Sequence, residues 1–369
     1  MSASNATGVK DETDRQSVQE VRLPTREDYR GVSCRPIDVA PGPADANRWL
    51  RLRCTLDTVL DKAEAKVRYV GVRGLGLGER IARGAGLGEA YRRIPGVRAW
   101  RTPVPMVRPI FIVGSERSGT TIVGKVLGHQ GEVLFLNEPR PIWYQALPAI
   151  NELKFHWREG EPQGKVYLDE SDLCPQAQAS LERAFGWIMR FAGRDRLMDK
   201  LPINLFRVRW LRAMWPDALF VQIMRDPFGS SASKSQIWSS NFENQSPGIA
   251  IRKRTFASLY PDLNEMLSTI KKPYEWFLFA WRVSTEEGER LSKLFPRQYC
   301  AVRLEDVQQV PEETLRGICE FAGLPFTERL RRAYKVMLDP RVRMAKPQIS
   351  VERCRELLGE SAARWGYEI

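Results

Sequence analysis

Ile110-Phe-Ile-Val-Gly-Ser-Glu-Arg-Ser-Gly-Thr-Thr-Ile122 decides how the rest of this chain is read. Gly114 and Gly119 stand at the two glycine positions of GxxxxGK[ST] and Thr121 at its last position, while Thr120 replaces the lysine. Ile110 to Val113 reads as a short buried strand and Thr120 to Gly128 as a helix, so the pattern lies on a strand–loop–helix frame. In such a loop, successive backbone N–H groups and the helix start surround an anion. Ser118, Thr120 and Thr121 add hydroxyl donors, and Arg117 supplies positive charge. Without the lysine that reaches the β- and γ-phosphates, the loop predicts a bound anionic nucleotide but not ordinary ATP or GTP hydrolysis.

Working outward, further strands are predicted at Val133 to Leu136, Leu197 to Asp199, Leu219 to Met224 and Tyr299 to Leu304. Helices are predicted around Gln178 to Ala192, Leu205 to Trp215, Phe228 to Trp238, Phe277 to Leu294 and Pro311 to Ala322. Strands alternating with helices imply an α/β fold: a P-loop three-layer α/β/α arrangement around a central, largely parallel sheet, with ligands at the carboxyl ends of the strands. This domain is expected over residues 107–369. Residues 1–46 are polar, with Pro24, Pro36, Pro41 and Pro43 and no apolar period, and read as a flexible arm.

Residues 47–106 form a basic helical and Gly-rich segment. Arg48 to Arg101 holds thirteen Lys/Arg against five Asp/Glu, most of the chain's net charge of +12. Leu50, Leu52, Leu56, Val59, Leu60 and Ala63 recur at helical spacing and predict an amphipathic helix. It could meet anionic membrane or another protein, or pack on its own domain. The tandem echo Gly74-Leu-Gly-Leu-Gly-Glu and Gly84-Ala-Gly-Leu-Gly-Glu has GxGxGE spacing and does not complete a dinucleotide fingerprint.

A hydrophobic fraction of 43% is enough for a sizeable core, and the basic balance favours anionic ligands. Six scattered cysteines without a CxxC pair, together with only His129 and His156, argue against a zinc framework or a disulfide scaffold. No apolar run long enough to span a membrane occurs, and the first residues lack a signal-peptide core, so a cytoplasmic protein is expected.

A second constellation lies in Leu219-Phe-Val-Gln-Ile-Met-Arg-Asp-Pro-Phe-Gly-Ser-Ser-Ala-Ser-Lys234. Arg225 ends a strand, Pro227 starts a helix and Ser233 lies two turns in; an arginine fork and a hydroxyl make a phosphate site. The plainer alternative pairs Arg225 with Asp226 and leaves Ser233 on a helix surface.

With these residues in place, the chain resembles the sulfotransferases that use 3′-phosphoadenosine 5′-phosphosulfate (PAPS), closest in pattern to the bacterial, tyrosylprotein and carbohydrate branch. Arg117-Ser-Gly-Thr-Thr121 resembles their 5′-phosphosulfate loop, and Arg225 with Ser233 their 3′-phosphate motif. Asp199-Lys-Leu-Pro202 is similar to a Lys-x-Pro element of the family, and Tyr274 with Trp281 to an aromatic pair whose tyrosine meets the adenine. Val302-Arg-Leu-Glu-Asp306 and Phe321-Ala-Gly-Leu-Pro325 are similar to a late strand and turn. The resemblance covers about Val107 to Tyr367.

It implies a PAPS-dependent sulfotransferase, with PAPS as co-substrate and no metal. Arg117, Ser118, Gly119, Thr120 and Thr121 would hold the phosphosulfate, Arg225 and Ser233 the 3′-phosphate, and Tyr274 the adenine. Arg117 and Lys200 would stabilise the leaving group. Glu138, which follows the strand ending Leu134-Phe-Leu-Asn137, would be the base; the alternatives are that it only pairs with Arg117 or Arg140, or that His156 serves instead. Arg341, Arg343 and Lys346 resemble a late basic loop that closes on the 3′-phosphate, while Met337 and Met344 read as packing residues.

The acceptor is expected to be a hydroxyl of a carbohydrate, glycolipid, phenol or tyrosine, with 143–172 and 238–273 shaping its pocket. No nucleic acid is expected as a partner. Two other readings stand beside this one. A P-loop kinase or NTPase would need the lysine that Thr120 replaces and a strand ending in a magnesium-binding aspartate, where Met224-Arg225 stands. A non-enzymatic basic module would bind anionic membrane or nucleic acid through residues 48–101, with affinity falling steeply in salt.

Overall fold

The computed structural model describes residues 104–369 apart from Arg343. The expected N-terminal arm, the basic segment up to residue 103 with its expected helix and its glycine echo, and Arg343 therefore lie outside the described residues. The order is β1 (Ile110–Gly114), α1 (Thr120–Leu127), β2 (Val133–Asn137), α2 (Arg140–Ala146), the hairpin β3 (His156–Arg158) and β4 (Glu161–Gln163), α3 (Pro175–Ala192) and β5 (Arg196–Lys200). Then follow α4 (Val208–Met214), β6 (Leu219–Met224), α5 (Pro227–Glu243), α6 (Pro247–Leu259), α7 (Asn264–Thr269) and α8 (Pro273–Leu294). The chain ends with β7 (Tyr299–Arg303), α9 (Leu304–Gln309), α10 (Pro311–Ala322), α11 (Glu328–Met337), α12 (Val351–Leu358) and α13 (Ser361–Arg364).

Five strands form one parallel sheet in the order β2-β5-β1-β6-β7. Side chains alternate across a strand, and here both faces are buried. Phe111 and Val113 of β1 join one apolar cluster with Phe220 and Tyr299, while Ile110 and Ile112 join another with Val221, Ile223, Cys300 and Val302. Helices cover both faces, which gives the expected three layers. Pro175, Pro227, Pro247, Pro273 and Pro311 each open a helix, where the missing N–H costs nothing and φ is already helical.

The five sheet strands lie where the apolar runs predict them, give or take a residue at the ends. The helix expected over 205–215 begins instead as a 3-10 segment, Pro202–Arg207, before α4. The hairpin, α2, α6, α7, α11 and α12 were not anticipated. Met337 packs against the second cluster as expected, but Met344 is exposed. Among the described residues, no helix is long and apolar enough to cross a membrane.

Candidate active site

The parallel sheet brings four strand ends to one edge. Glu138 follows β2, Lys200 closes β5, the glycine loop follows β1, and Arg225 follows β6. Register places Asn137 opposite Lys200 and Gly114 opposite Ile223. The loop's glycines answer close approach: at Gly114 (φ +142°) a Cβ would come 2.5 Å from the Ile223 carbonyl oxygen, and at Gly119 (φ +89°) 2.7 Å from Leu304. Arg117 and Glu138 also hold positive φ, 65° and 53°, without being glycine. Such geometry costs roughly 1–3 kcal/mol per residue and persists only where surroundings enforce it. Here the Glu138 N–H donates to the Lys200 carbonyl at 2.8 Å, and Arg225 Nη1 donates to the Arg117 carbonyl at 3.3 Å.

One half of the site is built for anions. The N-terminus of α1 has no side-chain cap and no acid in its first turn, which leaves the N–H groups of Thr120 and Thr121 for an anion, while that of Ile122 bonds the Gly119 carbonyl at 3.1 Å. Ser118 Oγ is buried there without a hydrogen-bond partner, a group that a ligand would satisfy. Arg117 Nε donates to Ser233 Oγ at 2.9 Å, which unites the two sequence motifs across 116 residues. Neither Arg117 nor Arg225 has a carboxylate partner among the described residues. Asp226 is occupied otherwise: its carboxylate caps α5 through the N–H groups of Phe228 and Gly229 and also accepts from Ala345 N at 3.1 Å. No direct ion pair joins Arg225 to Asp226, although the Arg225 charge still acts on that carboxyl. Trp281 of α8 donates its indole N–H to the Arg225 carbonyl at 2.9 Å and so fixes that strand end.

Glu138 stands between two cations. Lys200 Nζ lies 2.6 Å from Oε1 and Arg140 Nη2 3.2 Å from Oε2. Burial alone would raise the Glu138 pKa, but Lys200 and Arg140 outweigh it and hold the carboxyl below its ordinary value. Burial likewise lowers the Lys200 ammonium, with Glu138 opposing. The pairing continues as an alternating chain. Arg140 also meets Glu152, Glu152 meets Arg252 at 3.4 Å, Arg252 meets Glu116 of the loop at 2.9 Å, and Glu116 faces Lys234 at 3.8 Å. Lys234, the residue after Ser233, also donates to Ser115 Oγ, and burial pulls its ammonium down to about 8.

All seven of these charged residues line one cavity of about 810 Å³, together with Arg117, Gly119, Thr120, Thr121 and Arg225. Sequence reading had found Glu138, Lys200, Arg117 and Arg225, and had named Arg140 only as a rival partner for Glu138. It missed Glu116, Glu152, Lys234 and Arg252. The one available signal was that Glu116 sits inside the loop and Lys234 directly after Ser233. Ser233, Tyr274 and Lys346 do not line this cavity. Tyr274 is buried at the start of α8, and Lys346 is exposed next to Ala345, whose N–H bonds Asp226 at the start of α5. His156 is exposed on β3 with Nδ1 3.0 Å from the Lys154 carbonyl, and it is not part of the cavity wall.

A family model described as "Sulfotransferase family" matches residues 109–328. A protein of Aquifex aeolicus (strain VF5), called only "Uncharacterized protein", is 26% identical over 239 residues, which cover 63% of this chain and 27% of that protein. The chain thus spans about a quarter of that relative's length. The omega-hydroxy-beta-dihydromenaquinone-9 sulfotransferase Stf3 of Mycobacterium tuberculosis is 24% identical over 312 residues, covering 70% of this chain and 75% of Stf3. The crystal structure of sulfotransferase STF9 from Mycobacterium avium aligns with a TM-score of 0.46 at 16% identity, covering 76% of this chain and 82% of that one.

Proposed function

The chain belongs to the sulfotransferase family, and we propose that it transfers a sulfuryl group from PAPS to an acceptor hydroxyl, with 107–369 as the catalytic domain. The observation that carries this reading is the joining of the two anion motifs. Arg117 bonds Ser233, Arg225 bonds the Arg117 carbonyl, neither guanidinium forms an ion pair among the described residues, and Glu138 and Lys200 line the same cavity as Arg117 and Arg225. The unpartnered Ser118 hydroxyl suits a donor that brings its own acceptors.

The donor supplies an activated sulfuryl group on a 5′-phosphate. In this reading the acceptor oxygen bonds to sulfur as the bond from sulfur to the bridging oxygen breaks, and that electron pair leaves with 3′,5′-adenosine bisphosphate. Glu138 takes the hydroxyl proton, which its ionised state permits. Arg117 and Lys200 stabilise the charge that develops on the bridging oxygen. Ser118, Gly119, Thr120 and Thr121 hold the phosphosulfate, Arg225 and Ser233 the 3′-phosphate, and Tyr274 the adenine. Lys346 would add charge to the 3′-phosphate, because its neighbour Ala345 already bonds the cap of α5; Arg343 would share that role on the sequence resemblance alone. As Lys200 turns toward the leaving group, its hold on Glu138 weakens and the base strengthens.

Glu138→Gln tests the assignment. Bisphosphate affinity should stay within about twofold while turnover falls by about 100-fold or more, the usual weight of a positioned base. Turnover at the wild-type level would place the base elsewhere.

A further inference from the structure

Beyond its chain of charged pairs, the cavity changes character. Ile203 and Phe206 of the 3-10 segment after β5, Trp238 of α5, Ile249 and Phe256 of α6, and Phe277 of α8 line much of its remaining wall beside Lys125 and Ser284; all six but Trp238 are buried core residues that show only part of their surface to it. Phe206 and Phe256 lie 5.4 Å apart between ring centroids, and Trp238 and Phe277 6.5 Å, so four separate elements bring aromatic surface to one space. Apart from the Trp238 indole N–H, these six side chains offer no hydrogen-bonding group. Polar residues return at the rim, where Asn241 is exposed and Ser246 half-buried.

We propose that the acceptor is an alcohol carrying an extended apolar body, which lies along this aromatic wall and presents its hydroxyl to Glu138. The proposal rests on the sulfotransferase reading above. A sugar placed here would give up water at every hydroxyl and find almost no partner, and a peptide tyrosine would bury main-chain amides on the same terms. An alkyl chain loses nothing by leaving water and gains contact throughout. The polar and apolar halves of the cavity thereby divide the work. Charge selects the donor, and apolar area selects the acceptor.

The test uses the full chain with PAPS and the primary alcohols from butan-1-ol to decan-1-ol, beside N-acetylglucosamine and N-acetyltyrosinamide, following bisphosphate release. The expected kcat/KM rises about three- to fourfold per added methylene, the equivalent of about 0.8 kcal/mol each. Decan-1-ol should then exceed both polar probes at least 100-fold. Trp238→Glu should flatten the chain-length slope while leaving bisphosphate affinity unchanged, and retained affinity reports an intact fold. A flat series, no turnover of any alcohol, or a polar probe outpacing decan-1-ol would overturn the proposal, and the wild-type series decides this without a variant. These results stay distinct from failure of the family chemistry, which shows as bisphosphate binding no better than AMP.

Discussion

As the proposed base, Glu138 meets two opposed demands: it must accept a proton, yet Lys200 and Arg140 favour its charged form. The hydrogen bond from its N–H to the Lys200 carbonyl, made at a positive φ, holds the two backbones together where carboxylate and ammonium meet. Arg140 is the partner that can be removed without touching the leaving-group cation. Taking it away removes an opposite charge from Glu138 and leaves Glu152 less neutralised nearby. Both changes raise the Glu138 pKa. In Arg140→Gln the acidic limb of kcat/KM, where activity is lost as the base protonates, should therefore move to higher pH. A limb that stays in place would show that Arg140 does not govern the ionisation of Glu138.

Among the elements, α6 ties the charged wall of the cavity to the glycine loop, because Arg252 reaches both Glu152 and Glu116. Burial pushes the Glu116 carboxyl up, but Arg252 and Lys234 prevail and bring it from 4.5 to about 2. A depressed folded-state value means that its ionised pairing stabilises the protein above the ordinary glutamate pKa. That contribution is lost as pH falls through the folded value. Glu116→Gln should lower Tm at pH 7, by about 2–4 °C per kcal/mol lost, and the gap to wild type should close as pH approaches 2. A gap independent of pH would mean the carboxylate charge contributes nothing. This tie was hidden in the sequence for a physical reason. Arg252-Lys253-Arg254 reads as a solvated basic run, yet only Arg252 turns into the cavity, while Arg254 pairs with Glu161 of the hairpin. The strands were legible because parallel strands buried on both faces are near-continuous apolar runs, as in Ile110 to Val113.

For the molecule as a whole, strand order sets the chemistry. With β1 central and β5 and β6 as its neighbours, the loop, Lys200 and Arg225 share one edge, and β2 adds Glu138 from the far side. The glycine loop and Arg225 with Ser233 could be picked out as local patterns, but their direct bond is a property of the sheet and α5 together. The apolar wall was less legible still, since its residues come from segments that look like ordinary core. The central claim is that Arg225 and Ser233 recognise a 3′-phosphate. Calorimetry with 3′,5′-adenosine bisphosphate and with AMP tests it most directly, on wild type and Arg225→Ala. One charge-assisted contact is worth about 1.5–3 kcal/mol. Bisphosphate should therefore bind wild type at least about tenfold more tightly than AMP, and Arg225→Ala should erase most of that difference. Equal affinity of wild type for the two nucleotides would contradict the account.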